Sequence, residues 1–221
     1  MKVAILCGGL GTRISALAQG LPKAMIEIDG RPYLELVVDS FRVAGLRDLV
    51  LLTGFRADVI EGHFGDGARF GVDIRYSREE SPLGTGGALL QARPLLGDRF
   101  VLTYGDVFRR YDYAHFVTAH PRHALAVYPR RTDGNAEVQE GRVTRFDKKA
   151  PELPYVDAGF SVFGIEALDL LPSGGRSSFE ELVFPELAGR GELEAEIVDY
   201  DFYDIGTPDE LARTRAALEN K

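Results

Sequence analysis

The chain has 221 residues, of which 45% are hydrophobic and 27% are charged, a composition typical of a globular protein. Its 26 Lys and Arg residues against 34 Asp and Glu residues give a formal net charge of −8. This charge argues against a nucleic-acid binder, because affinity for a phosphate backbone needs a positive surface.

The N-terminal segment shows no signal for secretion or membrane insertion. Its apolar run, Val3–Cys7, is too short for the core of a signal peptide, and no later run approaches the length of a spanning helix. The single cysteine, Cys7, can form no internal disulfide, and its apolar neighbours favour a buried, unreactive thiol. We therefore expect a soluble, cytoplasmic protein with no membrane partner.

Short apolar runs alternate with amphipathic segments in the first 120 residues. The predicted strands are Val3–Cys7, Leu49–Thr53, Val72–Tyr76 and Phe100–Thr103, and the predicted helices between them are Tyr33–Ala44, Ala57–Phe64 and Thr85–Ala92. This order is typical of a Rossmann-like α/β fold, with a parallel sheet covered by helices on both faces. Ligands bind such sheets at the carboxyl ends of the strands, so we expect the site in the loops after Cys7 and Thr103.

The pattern becomes strand-rich after about residue 120. The predicted strands are Ala124–Tyr128, Ala136–Gln139, Val143–Phe146, Tyr155–Phe163 and Leu193–Val198, and the predicted helices are Ser178–Ala188 and Pro208–Leu218. This antiparallel portion either extends the sheet or forms a small lobe against it. Since no repeat or clear linker appears, we predict a single α/β domain over residues 1–221 with a mixed, mostly parallel sheet.

The glycine-rich segment after the first strand is the strongest local signal. Gly8, Gly9 and Gly11 allow the backbone to approach a ligand and turn several N–H groups the same way, and Arg13 adds a fixed positive charge beside Thr12. The segment matches neither a dinucleotide fingerprint nor a P-loop. It predicts an anion cradle, with a sharp strand-to-helix turn as the alternative explanation.

Three charged residues from distant segments are further candidates. Lys23 follows a proline in a stiff loop, where it is placed to reach a phosphate, although most loop lysines are simply solvated. Asp106 ends the fourth predicted strand, and Asp204 precedes the last helix. Two such carboxylates can share a Mg²⁺ ion that also takes phosphate oxygens, whereas turn and cap roles explain each aspartate taken alone.

Seven motifs in order resemble those of the sugar-1-phosphate nucleotidyltransferases. They are Gly8-Gly9-x-Gly11-Thr12-Arg13, Pro22-Lys23, Pro82-Leu83-Gly84-Thr85-x-Gly87, Gly105-Asp106, Asp147-Lys148-Lys149, Asp157-Ala158-Gly159 and Asp204-Ile205-Gly206-Thr207-Pro208. The resemblance runs from residue 3 to about residue 215. Within the family it is greatest to the D-glycero-D-manno-heptose 1-phosphate guanylyltransferases, with mannose, glucose or N-acetylmuramate 1-phosphate and GTP, UTP, dTTP or CTP as alternative substrates.

The resemblance implies transfer of a nucleotidyl group from a nucleoside triphosphate to a sugar 1-phosphate, with Mg²⁺ as cofactor. Residues 1–120 would bind the nucleotide, and residues 121–221 would bind the sugar and supply the C-terminal helix. The implied catalytic residues are Arg13, Lys23 and Asp106, and the implied metal ligands are Asp106 and Asp204. The nucleotide would contact Gly8, Gly9, Gly11, Thr12, Arg13, Glu79, Gly84 and Thr85, and the sugar phosphate would contact Gly134, Lys149, Asp157 and Gly159. Lys148 is the alternative to Lys149 if the alignment shifts by one residue.

Three positions depart from the family pattern. Cys7 stands where the family usually has alanine, a change that the volume of the site tolerates. Tyr104 and Asp157 stand where the family often has asparagine, and both bear on the sugar pocket. By analogy with the family we also expect a homo-oligomer, for which the aromatic segment Phe108–Phe116 would supply an interface.

Two rival functions remain open at this point. A regulator that binds a nucleotide sugar without catalysis would be expected to lose Arg13, Lys23 or one of the two aspartates, but all are present. A related cytidylyltransferase or molybdopterin-guanylyl enzyme shares the first loop, whereas the ending Asp204–Pro208 favours the sugar-phosphate branch.

Overall fold

The computed structural model describes residues 1–9, 18, 20–149, 152–199 and 202–219. Its strands are β1 (Lys2–Leu6), β2 (Glu27–Ile28), β3 (Arg31–Pro32), β4 (Asp48–Thr53), β5 (Asp73–Arg78), β6 (Arg99–Tyr104), β7 (Val107–Arg109), β8 (Ala124–Gly134), β9 (Ala136–Gln139), β10 (Arg142–Phe146), β11 (Leu153–Gly164), β12 (Glu194–Ile197) and β13 (Phe202–Asp204). Its α-helices are α1 (Tyr33–Val43), α2 (Ala57–Phe64), α3 (Gly84–Leu96), α4 (Tyr113–Ala119), α5 (Phe179–Gly189) and α6 (Pro208–Glu219).

Nine strands form one sheet in the order β5-β4-β1-β6-β11-β8-β12-β10-β9. The first four are mutually parallel, β11 is antiparallel to both β6 and β8, and β12 is parallel to β8. The predicted α/β class is therefore confirmed. Taken as a whole, the sheet is mixed rather than mostly parallel. The strand-rich second half extends the parallel part with antiparallel pairings instead of forming a separate lobe.

Helices cover both faces of the parallel strands. Alternate residues of β1 point to opposite faces: Val3 and Ile5 join one apolar cluster with α1 and α2, while Ala4 joins a second cluster with α3 and α5. All three residues are fully buried. This two-sided burial explains why these strands show up in the sequence as continuous apolar runs. No helix within the described ranges is long and apolar enough to cross a membrane.

A separate two-stranded sheet, which the sequence pattern did not predict, lies beside the main one. Here β7 pairs antiparallel with β13, with Val107 opposite Asp204. Both strands have three residues, too short for a periodic apolar signal, and they are distant in sequence. Their pairing is what brings the ends of two remote segments together.

Part of the aromatic segment Phe108–Phe116, expected from the sequence to supply an interface between subunits, is buried within the chain, and the oligomeric state itself stays a prediction. Tyr113 and Phe116, both on α4, are buried, and their rings pack against Phe160 of β11. Phe108 stacks on Tyr203. These aromatic side chains belong to the interior of the chain because they fill the space between the small sheet and the main one.

Candidate active site

A cavity of about 600 Å³ opens at the carboxyl ends of β1, β4 and β6. It is lined by Leu6, Cys7, Gly8, Gly9, Lys23, Ala24, Leu52, Glu79, Pro82, Gly84, Thr85, Ala88, Tyr104, Asp106, Arg176, Asp204, Gly206 and Glu210. The loops after Cys7 and Thr103 both reach it, as the sequence predicts for this fold. Many of the residues implied by the family resemblance therefore surround one space.

Two of the predicted glycines form the wall of this cavity beside Glu79. A Cβ atom on Gly8 would lie 3.0 Å from Glu79 Oε1, so the glycine is needed for the close approach of that carboxylate. Glu79 Oε2 in turn accepts a hydrogen bond from the backbone N–H of Leu83 at 3.0 Å. The predicted residues Gly11, Thr12 and Arg13 lie outside the described residues, and their roles stay predictions.

Lys23 lies between the two predicted metal ligands. It begins a single turn of 3₁₀ helix after Pro22, Asp106 follows β6, and Asp204 ends β13. The Lys23 Nζ atom is 2.5 Å from Asp106 Oδ2 and 3.7 Å from Asp204 Oδ1. The pairing of β7 with β13 thus places two carboxylates around one point, which the lysine ammonium now neutralises.

This cluster fits a Mg²⁺ ion. Burial and the charge of Asp106 raise the pKa of Asp204 above its usual value, whereas the nearby Lys23 ammonium lowers it, so a cation between the two carboxylates favours their ionised forms. Among the described residues no group of three or more His, Cys, Asp or Glu side chains is placed to hold a metal ion. Two carboxylates are enough for Mg²⁺, because substrate phosphates and water normally complete its six ligands.

The predicted base-contact turn packs directly against the loop that precedes α5. Gly84 has a φ of 68°, and a Cβ atom there would lie 2.4 Å from the carbonyl oxygen of Ser177. The Thr85 hydroxyl donates to Glu180 Oε2 at 2.6 Å and accepts from the backbone N–H of Phe179 at 2.9 Å. Gly84 and Thr85 line the cavity as predicted, but the Thr85 hydroxyl is already committed to α5.

Glu180 is a central residue of the site that the sequence analysis missed. It is 2% exposed and accepts hydrogen bonds from the hydroxyls of Thr85, Tyr104 (2.5 Å) and Ser178 (2.7 Å). Lys148 Nζ lies 3.6 Å away. Burial alone would raise the pKa of Glu180, but Lys148 and these hydroxyls outweigh it and hold the pKa below its usual value.

The residues predicted for the sugar phosphate are spread more widely. Asp157 is half-buried, and desolvation raises its pKa to about 6, although its Oδ1 accepts a hydrogen bond from Gly159 N–H at 2.8 Å. Gly134 is packed where β8 meets β11, too close to Leu153 for any side chain. None of the four predicted sugar-phosphate residues, Gly134, Lys149, Asp157 and Gly159, is among the residues that line the cavity described above.

The two candidate lysines differ in their surroundings. The Lys149 side chain is 82% exposed, with its Nζ 4.0 Å from Glu181. Lys148 instead faces Glu180 beside Tyr104. The structure brings Lys148 rather than Lys149 close to the cavity wall, so the alternative left open by the sequence is the better placed of the two.

Arg176 is a second residue of the cavity that sequence reasoning missed. It follows Gly174 and Gly175 in the loop before α5 and lines the cavity next to Gly84. The paired glycines marked this loop, and Ser178 marked the start of the helix, which it caps by accepting from Glu181 N–H. Nothing in the local pattern showed that Arg176 and Glu180 turn toward the first half of the chain.

The fold and the cavity define an α/β protein with a polar, glycine-lined cavity at the carboxyl ends of its parallel strands. Residues 2–221 match the nucleotidyl transferase family, and the chain belongs to it. It is therefore a nucleotidyltransferase enzyme.

Among similar proteins is a mannose-1-phosphate guanylyltransferase of Mycobacterium tuberculosis, 33% identical over 97% of this chain and 63% of that protein. Another is a D-glycero-alpha-D-manno-heptose 1-phosphate guanylyltransferase of Campylobacter jejuni, 27% identical over 95% of this chain and 96% of that protein. The crystal structure of HddC from Yersinia pseudotuberculosis matches with a TM-score of 0.84 at 23% identity, covering 98% of this chain and 99% of that one. This chain thus spans about two thirds of the first relative and nearly all of the second.

Proposed function

We propose that the enzyme transfers a nucleotidyl group from a nucleoside triphosphate to a sugar 1-phosphate, giving a nucleotide sugar and pyrophosphate. The observation that carries the proposal is Lys23, held between Asp106 and Asp204 in the wall of the glycine-lined cavity. This arrangement provides one cation and one acidic pair at the point where two phosphorylated substrates would meet.

The chemistry follows from charge. An oxygen of the sugar 1-phosphate attacks the α-phosphorus in line, and pyrophosphate leaves on the opposite side, so no protein nucleophile is needed. Two anions must approach each other, and Lys23 would offset their repulsion while fixing the α-phosphate. Asp106 and Asp204 would hold Mg²⁺, which supplies further neutralisation of phosphate charge when bound.

The residues of the sugar side have a consistent role in this reaction. Lys148 or Lys149 would bind the phosphate of the sugar, and Asp157 with Gly159 would bind its hydroxyls. Glu180 connects this side to the nucleotide side through Tyr104 and Thr85. Arg13, outside the described residues, is proposed to steady the leaving pyrophosphate.

For the particular substrates we propose GTP and D-glycero-α-D-manno-heptose 1-phosphate. Two relatives of nearly this length carry that name, and the mycobacterial relative is also a guanylyltransferase. A glucose-1-phosphate cytidylyltransferase and a uridylyltransferase of similar identity support the alternatives. A catalytically silent regulator is the rival of a different class.

The test is release of pyrophosphate in the presence of Mg²⁺. Each of GTP, UTP, dTTP, CTP and ATP is paired with manno-heptose, mannose, glucose and N-acetylmuramate 1-phosphate. We expect one strong pair whose turnover is lost in Asp106→Asn and kept in Asp73→Asn, which changes an exposed carboxylate at the start of β5. Silence across the panel from a folded protein that still binds nucleotide would favour the regulator, and normal turnover of Asp106→Asn at limiting Mg²⁺ would refute the metal site.

A further inference from the structure

Arg109, at the end of β7, is a buried cation that the reaction described above does not use. The residue is only 4% exposed, and its Nε, Nη1 and Nη2 atoms have no hydrogen-bond partner among the described residues. A buried guanidinium without partners is costly and rare, since interior polar groups are normally paired. The position therefore calls for a physical reason.

One side of the guanidinium faces a small cavity whose described lining contains no acidic residue. This cavity of about 10 Å³ is lined, besides Arg109, by Tyr111, Ala126, Tyr128, Ala158, Phe160 and Val198. Such a space is at the lower limit for a single water molecule, which would itself need several polar partners. The stabilising charge must lie on another side.

The other side lies against the predicted sugar segment of β11. A Cβ atom on Gly159 would lie 2.8 Å from Arg109 Nη2, so the absence of a side chain there lets the guanidinium approach. The same Gly159 donates its N–H to Asp157 Oδ1 at 2.8 Å. The arginine and the aspartate thus both contact one glycine, at a break in the register between β11 and β8.

Four ionisable groups face the Asp157 carboxylate. Arg109 and Lys148 favour its ionised form, while Glu180 disfavours it, and the Tyr104 phenol lies nearby. Lys148 is already engaged with Glu180. Arg109 is consequently the cation left to balance Asp157.

From this geometry we infer that Arg109 is a positioning residue for the sugar site, supplying the buried counter-charge that holds the Asp157 carboxylate ready to accept hydrogen bonds from sugar hydroxyls. The inference rests on the proposed function for its substrate, but the charge relation itself holds in the substrate-free protein.

The first experiment needs no substrate. The Asp157 carboxyl is titrated by carbon NMR in the wild-type protein, in Arg109→Met and in Arg109→Lys, and the signal is assigned with Asp157→Asn. We expect the midpoint to rise by about one unit in Arg109→Met, since removal of a nearby opposite charge favours the neutral acid. Arg109→Lys, which keeps the charge, should lie between the wild type and Arg109→Met. An unchanged midpoint in a folded Arg109→Met, or in a folded Arg109→Gln if the methionine variant does not fold, would overturn the inference.

The second experiment uses the substrate pair found by the pyrophosphate assay. In Arg109→Met we expect the KM for sugar 1-phosphate at pH 6 to rise about fivefold, because a midpoint raised by about one unit lowers the ionised fraction of Asp157 there from about a half to about a tenth. The KM for the nucleotide should stay unchanged within a factor of about two. The phosphate of the substrate also titrates near pH 6, so Asp157→Asn provides the baseline. The double variant Arg109→Met/Asp157→Asn should have the same KM for sugar 1-phosphate as Asp157→Asn alone. If the two substitutions instead raise this KM additively, Arg109 does not act through Asp157.

Discussion

At the scale of single residues, Gly84 shows how a local conformation shapes the nucleotide side of the site. Its positive φ and its approach to Ser177 are two separate reasons for glycine. Gly97 has a similar φ of 73°, but no atom lies near its Cβ position. Only the positive φ therefore favours glycine at position 97. The two glycines therefore form a matched pair.

We predict that Gly97→Ala lowers the free energy of unfolding by about 1 kcal/mol and Gly84→Ala by about 3 kcal/mol. The difference measures the cost of pushing the loop before α5 away from α3. Urea denaturation of both variants checks this. Equal losses would show that the loop yields freely and that its contact with Gly84 is not tight.

Lys23 presents a second prediction at this scale, because it pairs with both aspartates and is proposed to face the reacting phosphates. Lys23→Met should lower turnover at least about 100-fold, since a cation facing the reacting phosphates is lost. It should also lower Tm in EDTA, because Asp106 and Asp204 are left without a counter-charge. Added Mg²⁺ should then raise Tm more in the variant than in the wild type.

The control for this prediction is Lys2→Met, which removes a lysine paired with Asp48 at the opposite end of β1. Its turnover and its response to Mg²⁺ should match those of the wild type. A Lys23→Met variant with no added sensitivity to EDTA would mean that the two aspartates do not repel each other.

At the scale of elements, α5 joins the two halves of the site through its first turn. Glu180 at that turn binds hydroxyls from α3 and from the end of β6 while facing Lys148. Because the pKa of Glu180 is lowered in the folded protein, its ionisation stabilises the fold above the ordinary carboxyl range, and this contribution is lost as the pH falls through the lowered value.

We expect Glu180→Gln to lower the free energy of unfolding by about 2 kcal/mol at neutral pH, because the network loses its charge and one hydroxyl loses its acceptor. The loss should shrink as the pH falls through the ordinary glutamate range towards the lowered pKa of Glu180, where the wild-type carboxylate becomes protonated as well. Chemical denaturation over this pH range measures both effects. Glu181→Gln, at the neighbouring and more exposed position, should change little at any pH.

The sequence predicted the central elements well, for a physical reason. Strands such as β1 and β4 are buried on both faces and carry uninterrupted apolar runs, and α6 begins at Pro208 behind the Thr207 cap, as its residues indicate. The short strands β7 and β13 gave no such signal. They form only because tertiary packing supplies a partner from a remote part of the chain.

In the candidate site, too, features of single loops were predictable and contacts between distant segments were not. Motifs on single loops, such as Gly8-Gly9 and Gly84-Thr85, indicated the cavity wall correctly. The roles of Glu180, Arg176 and Arg109 depend on contacts between distant segments, which no local pattern contains. The choice between Lys148 and Lys149 likewise needed the position of α5.

At the scale of the whole molecule, the two halves of the chain share one sheet. The second-half strand β11 pairs with β6 along Phe160–Gly164 on one edge and with β8 on the other. Both apolar clusters contain residues from each half, for example Val101 with Phe160 and Phe100 with Phe163. Neither half can bury its apolar surface alone, so we expect one cooperative unfolding transition.

Because the chain has no tryptophan, a single introduced tryptophan reports on one half at a time. Val43 at the end of α1 is 72% exposed and Ile197 at the end of β12 is 52% exposed, so Val43→Trp and Ile197→Trp should leave the core intact. In urea, the unfolding midpoint measured by fluorescence should be the same for both variants. In each variant it should also equal the midpoint measured by far-UV circular dichroism. Separate midpoints would show that the pairing of β6 with β11 is weaker than the packing within each half. Binding of one substrate would then stabilise the half that contacts it without stabilising the other half.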